Sequence, residues 1–344
     1  MWPAGTRSWT RTNTWSASGT SSSPPDAACN PSAVPLRAGR RLPTLSSAAD
    51  TPMNDTPTKA SYWQAAPMAV IFALFFVVPL VVIVVVSFWS YNQYSITPAF
   101  ILSNYTDIFH GCFAQLPGLC TTFATYLQTL IFCAEVWALT LVIGFAIAYF
   151  LVFEVRSQTM QIVLALVCTI PFWTSNVIRM ISWIPLLGRN GLVNQMLLSL
   201  GIVHKPLEWL LYSHFSVLLA FVHLNTVFMI VPILNSMARI DRSLIEAAHD
   251  SGASGWQTLW NVLVPLSKPG IAIGSIFVIT IVMGDYITIG IMGGQQIASV
   301  GKVIQVQTNF LQFPLAAANA VVLLACVLGL IWALTRLVDI RKEL

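Results

Sequence analysis

Six apolar stretches, each about as long as a bilayer-crossing helix and nearly free of charge, constrain this chain more than any other feature. They run over 65–89, 122–150, 159–178, 212–238, 270–291 and 314–335. Backbone amides find no water in hydrocarbon, so a crossing segment must satisfy them internally, and a helix of about 20 residues does so. The pattern predicts an all-α integral membrane protein with six transmembrane helices. With 56% apolar and 9% charged residues, the chain has too little polar surface for a water-soluble fold. The Asp, Glu and His residues inside the six stretches are Glu135, Asp285, His214 and His223, and no Lys or Arg lies within them.

Cytoplasmic loops retain Lys and Arg. Placing the N-terminus inside puts Lys59, Arg156, Arg239, Arg242, Lys268 and the basic C-terminal residues on the inner side, against Arg179, Arg189, Lys205 and Lys302 outside. Both termini are therefore expected in the cytoplasm. Residues 1–52 are rich in Ser, Thr, Pro, Ala and Arg and contain no signal-peptide core. They read as a disordered extension or as a misassigned start upstream of Met53, with an organelle transit peptide the weaker alternative. Residues 53–344 form the membrane domain.

The six cysteines show neither zinc nor redox spacing, and no metal site is predicted. Cys112 and Cys120 flank a short loop placed outside the cytoplasm, where a disulfide and two free thiols are both open.

The segment 239–269 between the fourth and fifth spans is densely punctuated. Ser243-x-x-Glu246 reads as a capping box that opens a helix, and Gly252 as its left-handed stop. Ser254-x-x-Gln257 opens a second helix carrying Trp256, Leu259, Trp260 and Leu263, with Pro265 expected to end it. Such a knob suits a groove on a partner protein; an amphipathic loop lying on the membrane surface fits the periodicity equally well.

The run Glu246-Ala247-Ala248, then Gly252-Ala253, Val264-Pro265-Leu266 and Pro269-Gly270, resembles the EAA loop of binding-protein-dependent ABC importer permeases. The likeness extends over most of 65–337. Through 171–179, 188–201 and 292–307 it narrows to the spermidine/putrescine permease class, while Ala146 and His249 depart from the pattern. The resemblance implies a type I ABC importer permease architecture in a bacterial inner membrane. It also implies a translocation path for a polyamine delivered by a periplasmic binding protein, a second permease subunit in a heterodimer, and two cytoplasmic ATPase subunits. Glu246, Ala247, Ala248 and Gly252 would make the ATPase contact, with Pro265 in the same motif. No nucleic-acid partner is implied.

No GxxxxGK[ST] phosphate loop is present, so the chain is expected to bind no cofactor itself, ATP being used by a partner. Ferric ion, sulfate, thiamine or another organic cation are alternative solutes. An ion-coupled secondary transporter is the alternative mechanism, although no clear internal repeat supports it. A membrane enzyme lacks its motifs: neither HExxH nor GxSxG occurs.

Ionisable groups in a bilayer usually face a cavity or a partner. Asp285 and Glu135 are therefore candidates to line the solute path, or else they bond a neighbouring helix or stay protonated. Trp173 and Asn176, near the outer end of the third span, either hold cations or belong to an interfacial belt. Gly270-x-x-x-Gly274 is expected to serve close helix packing. His214 and His223 read as ordinary buried histidines.

Overall fold

A computed structural model describes residues 59–92, 95–109, 120–294 and 296–337. The N-terminal extension and Cys112 lie outside those residues. Within them the chain is helical almost throughout, and its long helices are Ala66–Val86, Thr121–Glu154, Glu208–Met237, Gly255–Gly284 and Phe313–Arg336.

The first span shows how strongly the bilayer overrides local preference. Its Val78–Val86 half reads VPLVVIVVV, a run whose branched side chains favour strands in water, yet it is helical. None of the Ala66–Val86 apolar window is buried within the protein, so its side chains face lipid or another subunit. A π-turn, Ala73–Val77, precedes Pro79, and a second, Leu259–Leu263, precedes Pro265. In both places the widened turn holds the carbonyl four residues before the proline, the group its ring would otherwise strike. Pro265 therefore does not end the helix, contrary to the sequence expectation. The helix runs unbroken from Gly255 to Gly284.

Thr121–Tyr149, His214–Met237 and Val264–Gly284 form the centre of the bundle, with Phe132, Val136, Phe221, Met229, Val278 and Met283 buried among them. Glycine permits the closest approaches. A Cβ at Gly270 would come within 2.5 Å of the Pro232 carbonyl oxygen and 2.6 Å of Ser236 Cβ. One at Gly144 or Gly274 would meet Met229 at 2.9 or 2.8 Å. Trp137 Nε1 donates to Ser275 Oγ at 2.8 Å between two of these helices, and Ser216 Oγ reaches the Met292 carbonyl, beyond the end of the third, at 2.9 Å.

Two spans differ from the sequence expectation. The third, expected as one helix over 159–178, is a bent pair, Gln158–Trp173 and Asn176–Ser199, at 90°. Pro171 tightens the end of the first helix into a 3₁₀ turn, and Thr174 and Ser175 are extended, which breaks the hydrogen-bond ladder. The fifth, expected over 270–291, stops at Gly284. Asp285 leaves the helical region with ψ 115°, and a short helix, Ile287–Met292, follows.

Candidate functional site

The two-helix segment is built from its caps. Asp241, rather than Ser243, caps the first helix, Arg242–Asp250, its carboxylate accepting the Ser243 amide at 3.0 Å. The expected Ser243/Glu246 box is therefore not the opening device. Asp competes well for this role because its carboxylate meets both the unpaired amides and the positive end of the helix dipole. That leaves the Glu246 side chain exposed beside Ala247.

The first helix ends in a Schellman motif. Gly252, at φ +81°, donates its amide to the His249 carbonyl at 2.9 Å, and Ala253 donates to Ala248 at 3.0 Å. Ser254 and Gln257 then form a complete capping box: Ser254 Oγ accepts the Gln257 amide at 3.3 Å and Gln257 Oε1 accepts the Ser254 amide at 2.8 Å. Two helices are thus set at a fixed turn only four residues long, Ser251 to Ser254.

Trp256 is 69% exposed and packs edge-on against Trp260 at 5.9 Å, while Leu244 is also exposed. Arg242 Nη2 donates to the Val152 carbonyl at 3.1 Å, tying the segment to the end of the second span. A pocket lined by Tyr149, Phe153, Glu154, Glu246 and His249 opens between them. Pro265 lies in the continuous helix, outside this knob.

The path candidates do not converge on one centre. Glu135 Oε2 lies 2.6 Å from His214 Nε2, and the imidazole stacks on Phe132 with ring centroids 4.2 Å apart at 25°. Phe132 is buried, yet the Glu135 and His214 side chains keep 38% and 45% of their surface open. The helix from Glu135 to Val152 rises about 26 Å at 1.5 Å per residue, so the pair sits far from the two-helix segment, towards the opposite face of a hydrocarbon layer about 30 Å thick. Sequence reasoning set His214 aside. A phase argument within one helix cannot reveal a partner on another, and the position of His214 at the first turn of its helix is the only local signal.

Asp285 acts as a cap: Oδ1 accepts the Thr288 amide at 2.9 Å and Oδ2 accepts its hydroxyl at 2.5 Å. It lies at a break in the chain and not inside a continuous span. Trp173 is 83% exposed at the bend of the third span. Asn176 begins the next helix, and its amide oxygen accepts Arg179 Nη2, so a guanidinium occupies the group expected to face a cation. Cys120 is disulfide-bonded, and its sulfur caps the second span by accepting the Phe123 amide at 3.4 Å. No cluster of three His, Cys, Asp or Glu suited to a metal occurs among the described residues.

A capped two-helix knob thus stands at one end of the helical bundle, and the half-open Glu135–His214 pair lies towards the other. The chain belongs to the family described as binding-protein-dependent transport system inner membrane component, which matches residues 60–340. It is thus a multi-pass inner-membrane permease subunit of an ABC importer, a transport subunit. It is 30% identical over 277 residues to the spermidine/putrescine transport system permease protein PotB of Escherichia coli (strain K12), covering 79% of this chain and 96% of that protein. To PotB of Haemophilus influenzae it is 29% identical over 296 residues, 82% of this chain and 97% of that one. A chain in the crystal structure of a bacterial alginate ABC transporter in complex with alginate pentasaccharide-bound periplasmic protein shares the fold, with a TM-score of 0.61 and 15% identity over 83% of this chain and 95% of that one.

Proposed function

We propose that this chain forms part of the membrane path by which an ATP-driven importer takes up a polyamine of the spermidine/putrescine kind. The observation that carries the reading is the likeness to spermidine/putrescine permeases over nearly their whole length. A periplasmic binding protein delivers the solute, a second permease subunit completes the path as a heterodimer, and two cytoplasmic ATPase subunits supply the energy. Both termini lie in the cytoplasm, which puts Arg242–Asp250 on the ATPase side. Glu246, Ala247, Ala248 and Gly252 make the coupling contact, with Pro265 transmitting it along the helix that follows. Exposed apolar and acidic groups on a rigidly capped knob support that docking role.

Asp285 and Glu135 line the solute route, with Trp173 and Asn176 near its outer part. Carboxylates on the route offset the desolvation of ammonium groups, which is costly in a low-dielectric passage. No cofactor resides in this chain; ATP is bound and hydrolysed by the partner subunits.

Uptake of labelled spermidine and putrescine, in cells lacking their own polyamine importers and expressing this chain with its neighbouring transport genes, tests the assignment. ATP-dependent accumulation of polyamine is expected, with no competition from thiamine, sulfate or ferric ion. Accumulation that survives ATP depletion and follows an ion gradient instead would overturn it.

A further inference from the structure

Two side-chain ion pairs occur among the described residues. Arg189–Glu208 is long, at 3.5 Å, and largely exposed, as expected of a surface pair of little energetic weight. Glu135–His214 is different: it is short, backed by a buried ring, and half open inside a bundle of membrane-crossing helices. A charged pair turned towards lipid would be costly, and ionisable groups inside a membrane face a cavity, water or a partner. Its open side therefore faces water or another subunit.

We propose that His214 is a resident cation at a solute-ammonium site: its imidazolium occupies the Glu135 carboxylate until an ammonium group of the solute displaces it, so that proton and solute compete for one carboxylate. The inference rests on the polyamine reading above and assigns it a residue pair. A carboxylate beside an aromatic face is the environment an alkylammonium requires, through charge pairing and cation–π attraction. The His214 ring already uses both groups, lying 2.6 Å from Glu135 and stacked on Phe132.

His214 also opens its helix, after the Ser213 cap. Positive charge is unfavourable at that end of the helix dipole, which makes the imidazolium the weaker of two competing cations. On displacement the ring loses its counter-charge and gives its proton to the water of the open mouth.

Among the described residues, the charged and titratable groups on the elements packed around the pair form no further ion pair with it, and Arg179 Nε and Nη1 are buried without a hydrogen-bond partner. Arg179 donates to Asn176, Asp285 accepts from Thr288, and Lys302 donates to Gln305 at 2.8 Å. His223 meets Trp183 edge-on at 5.6 Å, and Tyr126 donates to the Asn319 carbonyl. Cys133, on the helix of Glu135, approaches the Ile279 carbonyl on the far side, and Tyr212 packs against Gly294.

The test uses the complete transporter in proteoliposomes with ATP, its binding protein and labelled putrescine, over external pH 5.5 to 7.5. For the wild type, apparent KM is expected to rise about tenfold from pH 7.5 to 5.5, with kcat little changed, as competition at one site requires. His214→Gln should abolish that rise. Glu135→Gln should raise KM at least about tenfold at every pH and flatten the profile. His214→Lys, a permanent cation, should hold KM high throughout, and thermal melting of each variant separates these effects from misfolding. A His214→Gln transporter that keeps the wild-type KM profile overturns the displacement site while leaving polyamine transport standing. Failure of the wild type to move polyamine at any pH overturns both.

Discussion

The approach of the fourth and fifth spans at Gly270 gives the sharpest structural prediction. In Gly270→Ala the new Cβ would stand 2.5 Å from the Pro232 carbonyl oxygen, 2.6 Å from Ser236 Cβ and 3.0 Å from Ile233 Cα. Two of these are backbone atoms, which no rotamer change can move aside, so the helices must separate by about 1 Å to reach normal contact. A gap of that size forfeits a quarter to a half of each dispersion well along the seam, and overpacking of this kind costs about 1–3 kcal/mol. That corresponds to a fall of about 2–8 °C in melting temperature for a chain of this order. At Gly274 the nearest obstacle is Met229 Sδ at 2.8 Å, a thioether that can swing away. Gly274→Ala should lose less than half as much. Gly329, with nothing within 4 Å of its added Cβ, is the control and should hold or gain slightly. The assay is thermal unfolding of purified protein in detergent, followed by tryptophan fluorescence. Gly270→Ala melting within about 1 °C of the wild type would refute the claim that glycine sets this helix spacing.

Gly252→Val places a branched residue at φ +81° with no steric obstacle around it, so only backbone strain of about 1–3 kcal/mol acts. Solute-stimulated ATPase activity of the assembled transporter should fall, Gly252→Asn should restore most of it, and equal activity of the two variants would contradict the Schellman turn as a coupling element. Asp285→Asn keeps an acceptor for the Thr288 amide but removes the charge; uptake should slow while assembly with the ATPase, read by co-purification, stays intact. Trp256→Ala should weaken that co-purification without lowering the melting temperature, because the ring is mostly exposed. Asn194→Ala removes a fully buried amide that donates to the Gly188 and Leu207 carbonyls and accepts the Leu207 amide at 2.8 Å. A loss of about 2–4 kcal/mol is expected in denaturant or thermal unfolding.

The membrane helices were legible because hydrocarbon tolerates so few backbone solutions that apolar length alone nearly determines them. The glycine stop at Gly252 and the Ser254/Gln257 box were legible for a related reason: each depends on contacts within five residues. What the sequence concealed lay in the breaks and in the pairs across helices. Pro265 reads as a terminator until a π-turn one residue upstream makes room for its ring. Thr174 and Ser175 look like the continuation of an apolar span, yet they turn it through 90°. Asp241 outcompetes Ser243 as a cap, a contest that spacing alone does not decide. His214 lies 79 residues from Glu135, and no local pattern encodes a meeting at that separation.

The uninterrupted helix Gly255–Gly284 is about 45 Å long at 1.5 Å per residue. It begins at the knob and ends at the residue before Asp285, so motion at its base is geometrically magnified at its tip. A tilt of about 10° about the knob end would carry Asp285 sideways by about 8 Å, more than the width of an extended alkyl chain. A displacement of that size at the far end of one rigid helix needs no part of the chain to melt.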